Sequence, residues 1–526
     1  ASAETGTGIT LTASSAIFQA GHVGSLFYME QKLTDIVQQW EVAKSITAAD
    51  RRRSGNHNYI AQNTATTGNV KPTHTEGAVY DGSGGVQWLY ADSGFGIVEI
   101  KSVGGGGTTA TADVITRLPS GCVGAGNPTY RWAHSLFSSV EGWPEYVGLT
   151  RERLTFLKGI ELALSVAGDY ENFASKIGGE ITADAAIRIT LPTENAPRWM
   201  IDGSQDLIVG TGGDEIAVGK ITTTDPLGPD NIEAKVKTSY GSSNVDPVLV
   251  GDEIIFVSRS GKRVRSYQYS FQINGYQGSD LTILSRHVTS DGLIQLGYAQ
   301  EPHSIIWAVT YDGYLVGFTF NREQDVLAWH RHPIGGDGIV ESVCCIPAPD
   351  GTRDDVWLVV RRTINGVTRR YVEYIMPEFE GTDAEIADAF YVDSGLTYDG
   401  AATTTISGLK HLLGQVVDIL ADGGAHQQKT VALLSPGKYG VTLDFEVEKA
   451  QIGLPCPAKI RTMRLEAGSQ LGTAQGKIKR IARALIRFYK TLGGKYGPDE
   501  NNLDPVIFRE AGAPMDTPPA MLSGDR

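Results

Sequence analysis

Cysteine is scarce. Cys122, Cys344, Cys345 and Cys456 are the only 4 in 526 residues, too few to staple a chain of this size with disulfides. No Cys-x-x-Cys spacing offers zinc or redox chemistry, so all four read as reduced thiols. Long apolar runs are also missing: nothing reaches the roughly 18 residues that a helical membrane span requires. No charged-then-apolar leader opens the chain, which begins Ala1-Ser2-Ala3 without Met, as a processed or excised piece would. Positive charge is in deficit, with Lys and Arg at 46 against 60 for Asp and Glu and a net charge of −14. Such a balance argues against a surface that holds nucleic acid by neutralising phosphates, and leaves open a channel that nucleic acid passes without sticking. Methionine, at 6, is rare, whereas glycine, at 63, is abundant. With 41% apolar and 20% charged residues the composition is globular, and its Gly, Thr and Val content favours short strands joined by tight turns. The length implies about two to four domains.

A repeat organises the middle of the chain. Five segments share the form strand, short polar turn, strand: "RLTFLKGIELALSV", "DLIVGTGGDEIAVG", "EIIFVSRSGKRVRSYQY", "IIWAVTYDGYLVGFTF" and "DVWLVVRRTINGVTRRYVEYI". Their anchors Leu154, Leu207, Ile254, Ile306 and Val356 stand 53, 47, 52 and 50 residues apart. A period near fifty with two to four strands per unit marks propeller blades, because one small sheet cannot bury both faces alone and must stack on neighbours around an axis. Asp312-Gly313, Gly261 and Asn365-Gly366 supply the positive φ that two-residue hairpins demand. The expected fold is all-β: a five- or six-bladed β-propeller over residues 140–377, an N-terminal β-rich module over 1–135 and a C-terminal β module with a platform-like segment over 378–526. Within the first module, "GGGGTTATAD" reads as a long hairpin loop or lid.

Several stretches invite a chemical reading. In "AWHRH", period-two alternation puts His330 and His332 on one strand face and Trp329 and Arg331 on the other. That arrangement would suit a two-histidine metal edge, but no carboxylate-histidine motif accompanies it, and a blade strand with a packed Trp and a solvated polar face is the expected state. "GTGGDEIAVG" lacks both the helix and the Gly-Lys-Ser/Thr ending of a phosphate loop, so its glycines read as turn or bulge positions. Asp169, Glu171, Asp214, Glu215, Asp280 and Glu301 are carboxylates from which a glycosidase pair would have to come; no Ser-x-Asp-x-Gly-x-x-Trp box accompanies them. No catalytic, cofactor or metal residue is assigned, and no cofactor is expected. In the N-terminal module Tyr59, Trp88 and Tyr90 are carbohydrate-stacking candidates if exposed, and core residues otherwise. The basic tail carries Lys477, Lys479, Arg480, Arg483, Arg487, Lys490 and Lys495 with no acid between them, and the first five are candidates for intersubunit or DNA contact. Its apolar residues fit a helix face (Ile478, Ile481, Ala482, Leu485, Tyr489, Leu492) as well as a strand (Ala482, Ala484, Ile486, Phe488).

Taken together, "GWPEYVGLTRERLTF" (142–156), "SVAGDYENF" (165–173), "LIVGTGGDEIAV" (207–218), "VGDEIIFVSRSGKRVRSYQYSFQINGYQGSDLTILSRHV" (250–288), "YAQEPHSIIWAVTYDGYLVGFTFNREQDVLAWHRH" (298–332), "GLPCPAKIRTMRLEAGS" (453–469) and "PPAMLSGD" (518–525) resemble the tail tubular protein B family, the tail nozzle proteins of short-tailed bacteriophages. The likeness spans roughly residues 70–526. It implies a structural, non-enzymatic virion protein, assembled in the host cytoplasm as a sixfold ring below the head-to-tail adaptor, with tail fibres as a further partner. DNA would pass through without specific binding, in a lumen that is acidic or neutral. The same likeness favours a strand for "RIARALIRFYK". Two rival classes are a virion-associated polysaccharide depolymerase and a host-glycan receptor-binding module.

Overall fold

The computed structural model describes residues 1–31, 37–55, 57–175, 181–463, 476, 478, 480–509, 512, 514 and 517–526. The chain is all-β, a series of propeller-type blades with small β modules on either side. Helix is limited to short 3₁₀ turns among the described residues, and none of their helices is long and apolar enough to cross a membrane. Two compact units divide the chain: Ala1–Ser243 with Tyr269–Gln277, and Asn244–Gln268 with Gly278–Arg526.

Blade sheets follow one another in strict sequence order. The first consists of Tyr146–Thr150, Arg153–Lys158, Glu161–Leu164 and Ile187–Thr190, and the second of Pro197–Asp202, Leu207–Thr211, Glu215–Gly219 and Glu233–Thr238. Val248–Val250, Glu253–Val257, Val264–Ser270 and Gly275–Asp280 make the third; Leu293–Ala299, Ile305–Thr310, Leu315–Asn321 and Val326–His332 the fourth. The fifth has three strands, Ile339–Pro347, Asp354–Ile364 and Val367–Tyr374. All five repeat anchors fall on the second strand of a sheet, so the fifty-residue period is the blade period.

Burial explains why the second and third strands carry the strongest apolar signal. Leu207–Thr211, Glu215–Gly219 and Glu253–Val257 are buried at every position, as strands covered on both faces must be. Sheet-to-sheet cores do the covering. Leu157, Leu162 and Leu164 pack with Val209 and Ile216 in the first unit, and Ile255 and Val257 pack with Ile306 and Phe318 in the second. Each such side chain contributes about 1.5–3 kcal/mol by leaving water.

Turn chemistry differs in detail from expectation. Asn365 and Gly366, at φ 52° and 72°, form the two-residue hairpin. At Gly313 (φ 89°) and Gly261 (φ 71°) only the glycine is left-handed, and the loops are longer, closed by Thr310 N–H to Tyr314 O and Ser258 N–H to Arg263 O. One left-handed glycine after an ordinary turn serves these hairpins equally well.

In the N-terminal module Ile9–Thr12, Thr109–Thr116, Phe95–Val103, Leu26–Glu30 and Arg131–His134 form one sheet, while Arg51–Ser54, His57–Ala61, Gln87–Asp92 and Ala78–Tyr80 form another. The Gly- and Thr-rich stretch is not a long loop or lid. Only residues 104–108 turn; Thr109–Thr116 is a strand whose Ala110 and Ala112 are buried on one face. Small residues at alternate positions fit a closely packed sheet, and composition alone hid that period. On the C-terminal side Asp393–Ser407, Lys438–Leu454, Val416–Ala421 and Gly424–Thr430 form a sheet around Leu412, Val417, Val441 and Ile452, with Ala432–Ser435 pairing onto Lys438–Leu454. Beyond it lie two short ribbons, Arg487–Thr491 with Leu522–Asp525 and Lys495–Asp499 with Asn502–Pro505.

Candidate functional site

His330 and His332 occupy the edge strand of the fourth blade and share one face, as alternation requires. That face is packed rather than solvated, which corrects the expectation. His330 Nδ1 lies 2.6 Å from His332 Nε2, and His330 Nε2 lies 3.1 Å from Thr319 Oγ1. Both rings meet Trp307 edge-on. Burial, and after it the neighbouring His330, pushes His332 down to about 4; burial also lowers His330. The pair is therefore neutral near pH 7, one ring donating to the other. On the opposite face Trp329 stacks on Phe318 and donates Nε1–H to Leu281 O. No group of three metal-binding side chains occurs among the described residues. Glycine at 317 is what seats the His330 ring, since a Cβ there would run into it.

The N-terminal aromatics are core. Trp88 and Tyr59 have no exposed surface, so neither has a ring face for a sugar, which corrects the stacking expectation for both. The cause is Asp81, itself buried, whose carboxylate accepts Trp88 Nε1–H at 2.8 Å, Trp40 Nε1–H at 3.1 Å and Val86 N–H at 2.8 Å. Tyr59 donates to His74 O at 2.8 Å, and burial followed by Tyr90 pushes its phenol up to about 12. Tyr90 is half-buried, edge-on to Tyr59, with its hydroxyl 3.1 Å from Ser93 Oγ.

Four of the six candidate carboxylates accept hydrogen bonds from neighbouring groups of the fold. Glu215 is fully buried and accepts from Thr238 Oγ1 at 2.6 Å, Tyr240 N–H at 3.1 Å and Ser242 Oγ at 3.2 Å. Burial raises its pKa, and these hydrogen bonds oppose the rise. Asp214 beside it accepts from Asn195 Nδ2 at 2.8 Å and Thr193 Oγ1 at 3.1 Å. Gly213 needs to be glycine because a Cβ would strike that Asn195 amide, not because its φ is positive. Burial disfavours the charge on Asp280, but two Thr282 hydrogen bonds and the nearby Arg265 and Arg263 outweigh it and hold the carboxyl below its usual range. Asp169, Glu171 and Glu301 are exposed, and Asp169 accepts from Asn172 Nδ2 at 3.1 Å.

In the basic tail, Lys477 and Lys479 lie outside the described residues. Arg480 and Arg483 are exposed on a stretch with no regular element, so the expected strand begins only at Arg487. Arg487 is not a free cation: it pairs with Asp525 of the same chain through bonds of 2.7 and 3.0 Å. Lys490 Nζ donates to Glu380 O and Gly381 O, and Met521 N–H to Asp383. The cysteines are free thiols. Burial, then Cys344 and Asp354, pushes Cys345 up to about 12; burial, then Asp393, pushes Cys456 up to about 11, so neither supplies a thiolate at neutral pH.

Two buried arginines went unread in the sequence. Arg153 donates to the carbonyls of Ser165, Ala183, Asp184, Ala185 and Leu227. Arg362 donates Nε–H to Gly335 O at 2.9 Å and grips Glu373, 3.0 Å from Nη2 to Oε2, while Gly335 N–H donates to Asp393. Their partners come from distant positions, so no local motif announces them.

No protein-family model and no curated protein matches the chain. Among solved structures, a candidate 6-phosphogluconolactonase from Bacteroides uniformis is similar at 9% identity over 68% of this chain and 100% of that one, TM-score 0.26. The Cps50 (Swd1) β-propeller domain of Myceliophteria thermophila is similar at 11% identity over 62% and 100%, TM-score 0.25. PorZ of Porphyromonas gingivalis is similar at 11% identity over 85% of this chain and 56% of its own, TM-score 0.25. Likenesses this distant carry no argument about function, and the blade assignment rests on the sheet order itself.

Proposed function

We propose that the chain is a structural component of a phage tail nozzle, a wall segment of the conduit through which DNA leaves the virion. One observation carries the reading beyond the family resemblance. Among the described residues no side chain after Leu454 is buried, and Ile460, Met463, Ile478, Ile481, Leu485, Tyr489 and Ile507 are exposed. Two-stranded ribbons without an apolar face against something else are marginal in water, and exposed apolar residues in such numbers mark an interface. In the proposed assembly neighbouring copies cover this stretch through head-to-tail contacts that close into a sixfold ring, with the adaptor and tail fibres as further partners. The blades supply stiffness, being close-packed on both faces.

A nozzle also needs no reactive pocket, in keeping with buried carboxylates and histidines committed to structural hydrogen bonds. The net charge of −14 suits a passage that does not retain phosphates. Electron microscopy of the protein mixed with its adaptor tests the reading: a sixfold ring with a central hole is expected. Persistent monomers, or nanomolar binding of duplex DNA at physiological salt, would contradict it.

A further inference from the structure

We infer that residues 281–292, the loop joining the third blade to the fourth, form an interfacial anchor for an anionic lipid surface, with Leu284 at its tip. Leu281, Thr282, Val288 and Thr289 are buried and fix the loop at two points. Between them run two consecutive turns, closed by Ser285 N–H to Thr282 O at 3.0 Å and Val288 N–H to Ser285 O at 2.9 Å. Ile283 and Leu284 stand out from these turns, 60% and 91% exposed. Further bonds hold the backbone in place: Asp280 accepts from Thr282 N–H at 2.9 Å and Thr282 Oγ1 at 2.6 Å, and Trp329 Nε1–H donates to Leu281 O at 3.0 Å. An adjacent apolar pair kept in water by an ordered backbone points to a contact surface, and a loop already fixed loses little freedom on docking.

Charge identifies the partner. Thr289 Oγ1 donates to Lys262 O at 2.8 Å and Leu293 N–H to Gly261 O at 2.8 Å, which seats the turn of residues 258–263 beside the loop, and Arg331 donates to His287 O. Arg259, Lys262, Arg286 and Arg331 are exposed about the apolar pair; Arg263 is exposed too, 3.9 Å from Asp280. Within residues 258–263 and 281–292 the sequence has a single carboxylate, Asp291. The local balance is therefore positive in a chain of net charge −14. Charges farther off than about 8 Å are screened at physiological ionic strength, so an approaching surface meets these cations and not the net charge. Apolar side chains at the hydrocarbon boundary with Lys and Arg at headgroup level supply both terms of interfacial binding. Leu284 is so exposed that it is a tip and not the wall of a groove. A fluid bilayer receives a tip without a matching pocket, whereas a protein partner has to supply one.

Co-sedimentation of the full chain with vesicles tests the anchor. Vesicles of phosphatidylglycerol and phosphatidylcholine in equal parts should bind at least about tenfold more tightly than vesicles of phosphatidylcholine alone, and high salt should shrink the difference. Leu284→Ser should weaken binding to the anionic vesicles about tenfold, and Arg286→Gln about fivefold, both with the unfolding midpoint unchanged. Phe271→Ser is the control: Phe271 is 89% exposed on the turn between Val264–Ser270 and Gly275–Asp280, and its loss should leave vesicle binding as it was. The inference is overturned if the anionic vesicles go unbound, if phosphatidylcholine alone binds as well, or if Phe271→Ser weakens binding as much as Leu284→Ser. A wild-type chain that ignores both kinds of vesicle, together with a Leu284→Ser variant that no longer forms the ring with the adaptor, would overturn it by assigning the tip to a protein partner.

Discussion

The blades and the C-terminal stretch are built from the same kind of strand and end in opposite states. Leu207–Thr211 and Glu253–Val257 are buried at every position, whereas Lys495–Asp499 and Asn502–Pro505 are exposed at every position. Hydrogen-bond pairing alone does not decide whether a strand stabilises its own chain; the faces do. A blade strand spends its apolar surface inside the chain, while the C-terminal ribbons leave theirs to be spent on something else. On the proposed function, stability of the monomer and competence to assemble would therefore reside in different residues.

That separation can be broken from the blade side first. Arg362→Met should cost about 3–5 kcal/mol, because it leaves the Glu373 charge without its partner, and urea unfolding would read the loss as a lower midpoint. Acid should act next. His332 falls from 6.5 to about 4 in the folded chain, so the folded state binds fewer protons than the unfolded one below pH 6.5. Its contribution is complete above the ordinary value and lost as pH falls toward 4, about 3 kcal/mol in total. His332→Gln should flatten that part of the stability profile. Gly317→Ala, which pushes a methyl into the His330 ring, should cost about 1–3 kcal/mol as overpacking does. From the other side, Ile481→Ser with Leu485→Ser should leave the unfolding midpoint unchanged while weakening ring formation with the adaptor, as sedimentation would report. A fall in midpoint equal to that of the blade variants would erase the contrast.

The sequence showed the blades because each repeats the same local solution, an apolar hairpin around a turn glycine, and repetition turns weak signals into a period. All five anchors landed on second strands for that reason. Positions set by distant partners stayed hidden. Trp88 stays open between core and sugar-stacking readings until Asp81 is seen to take its indole N–H, and nothing near Arg153 in the sequence announces the carbonyls from residues 165–227 that surround it. Likewise Gly213 is explained by the Asn195 side chain and not by its own backbone. The basic tail was legible as composition only, since the Arg487–Asp525 pair joins two ends of a long excursion.

Hydrogen exchange measured along the chain, alone and in the adaptor-bound ring, tests the central claim most directly. Amides of Leu207–Thr211 and Glu253–Val257 should exchange slowly in both states, and those of residues 480–509 quickly in the free chain and slowly in the ring. Equal protection of both regions in the free chain, or a C-terminal stretch that stays unprotected after assembly, would contradict it.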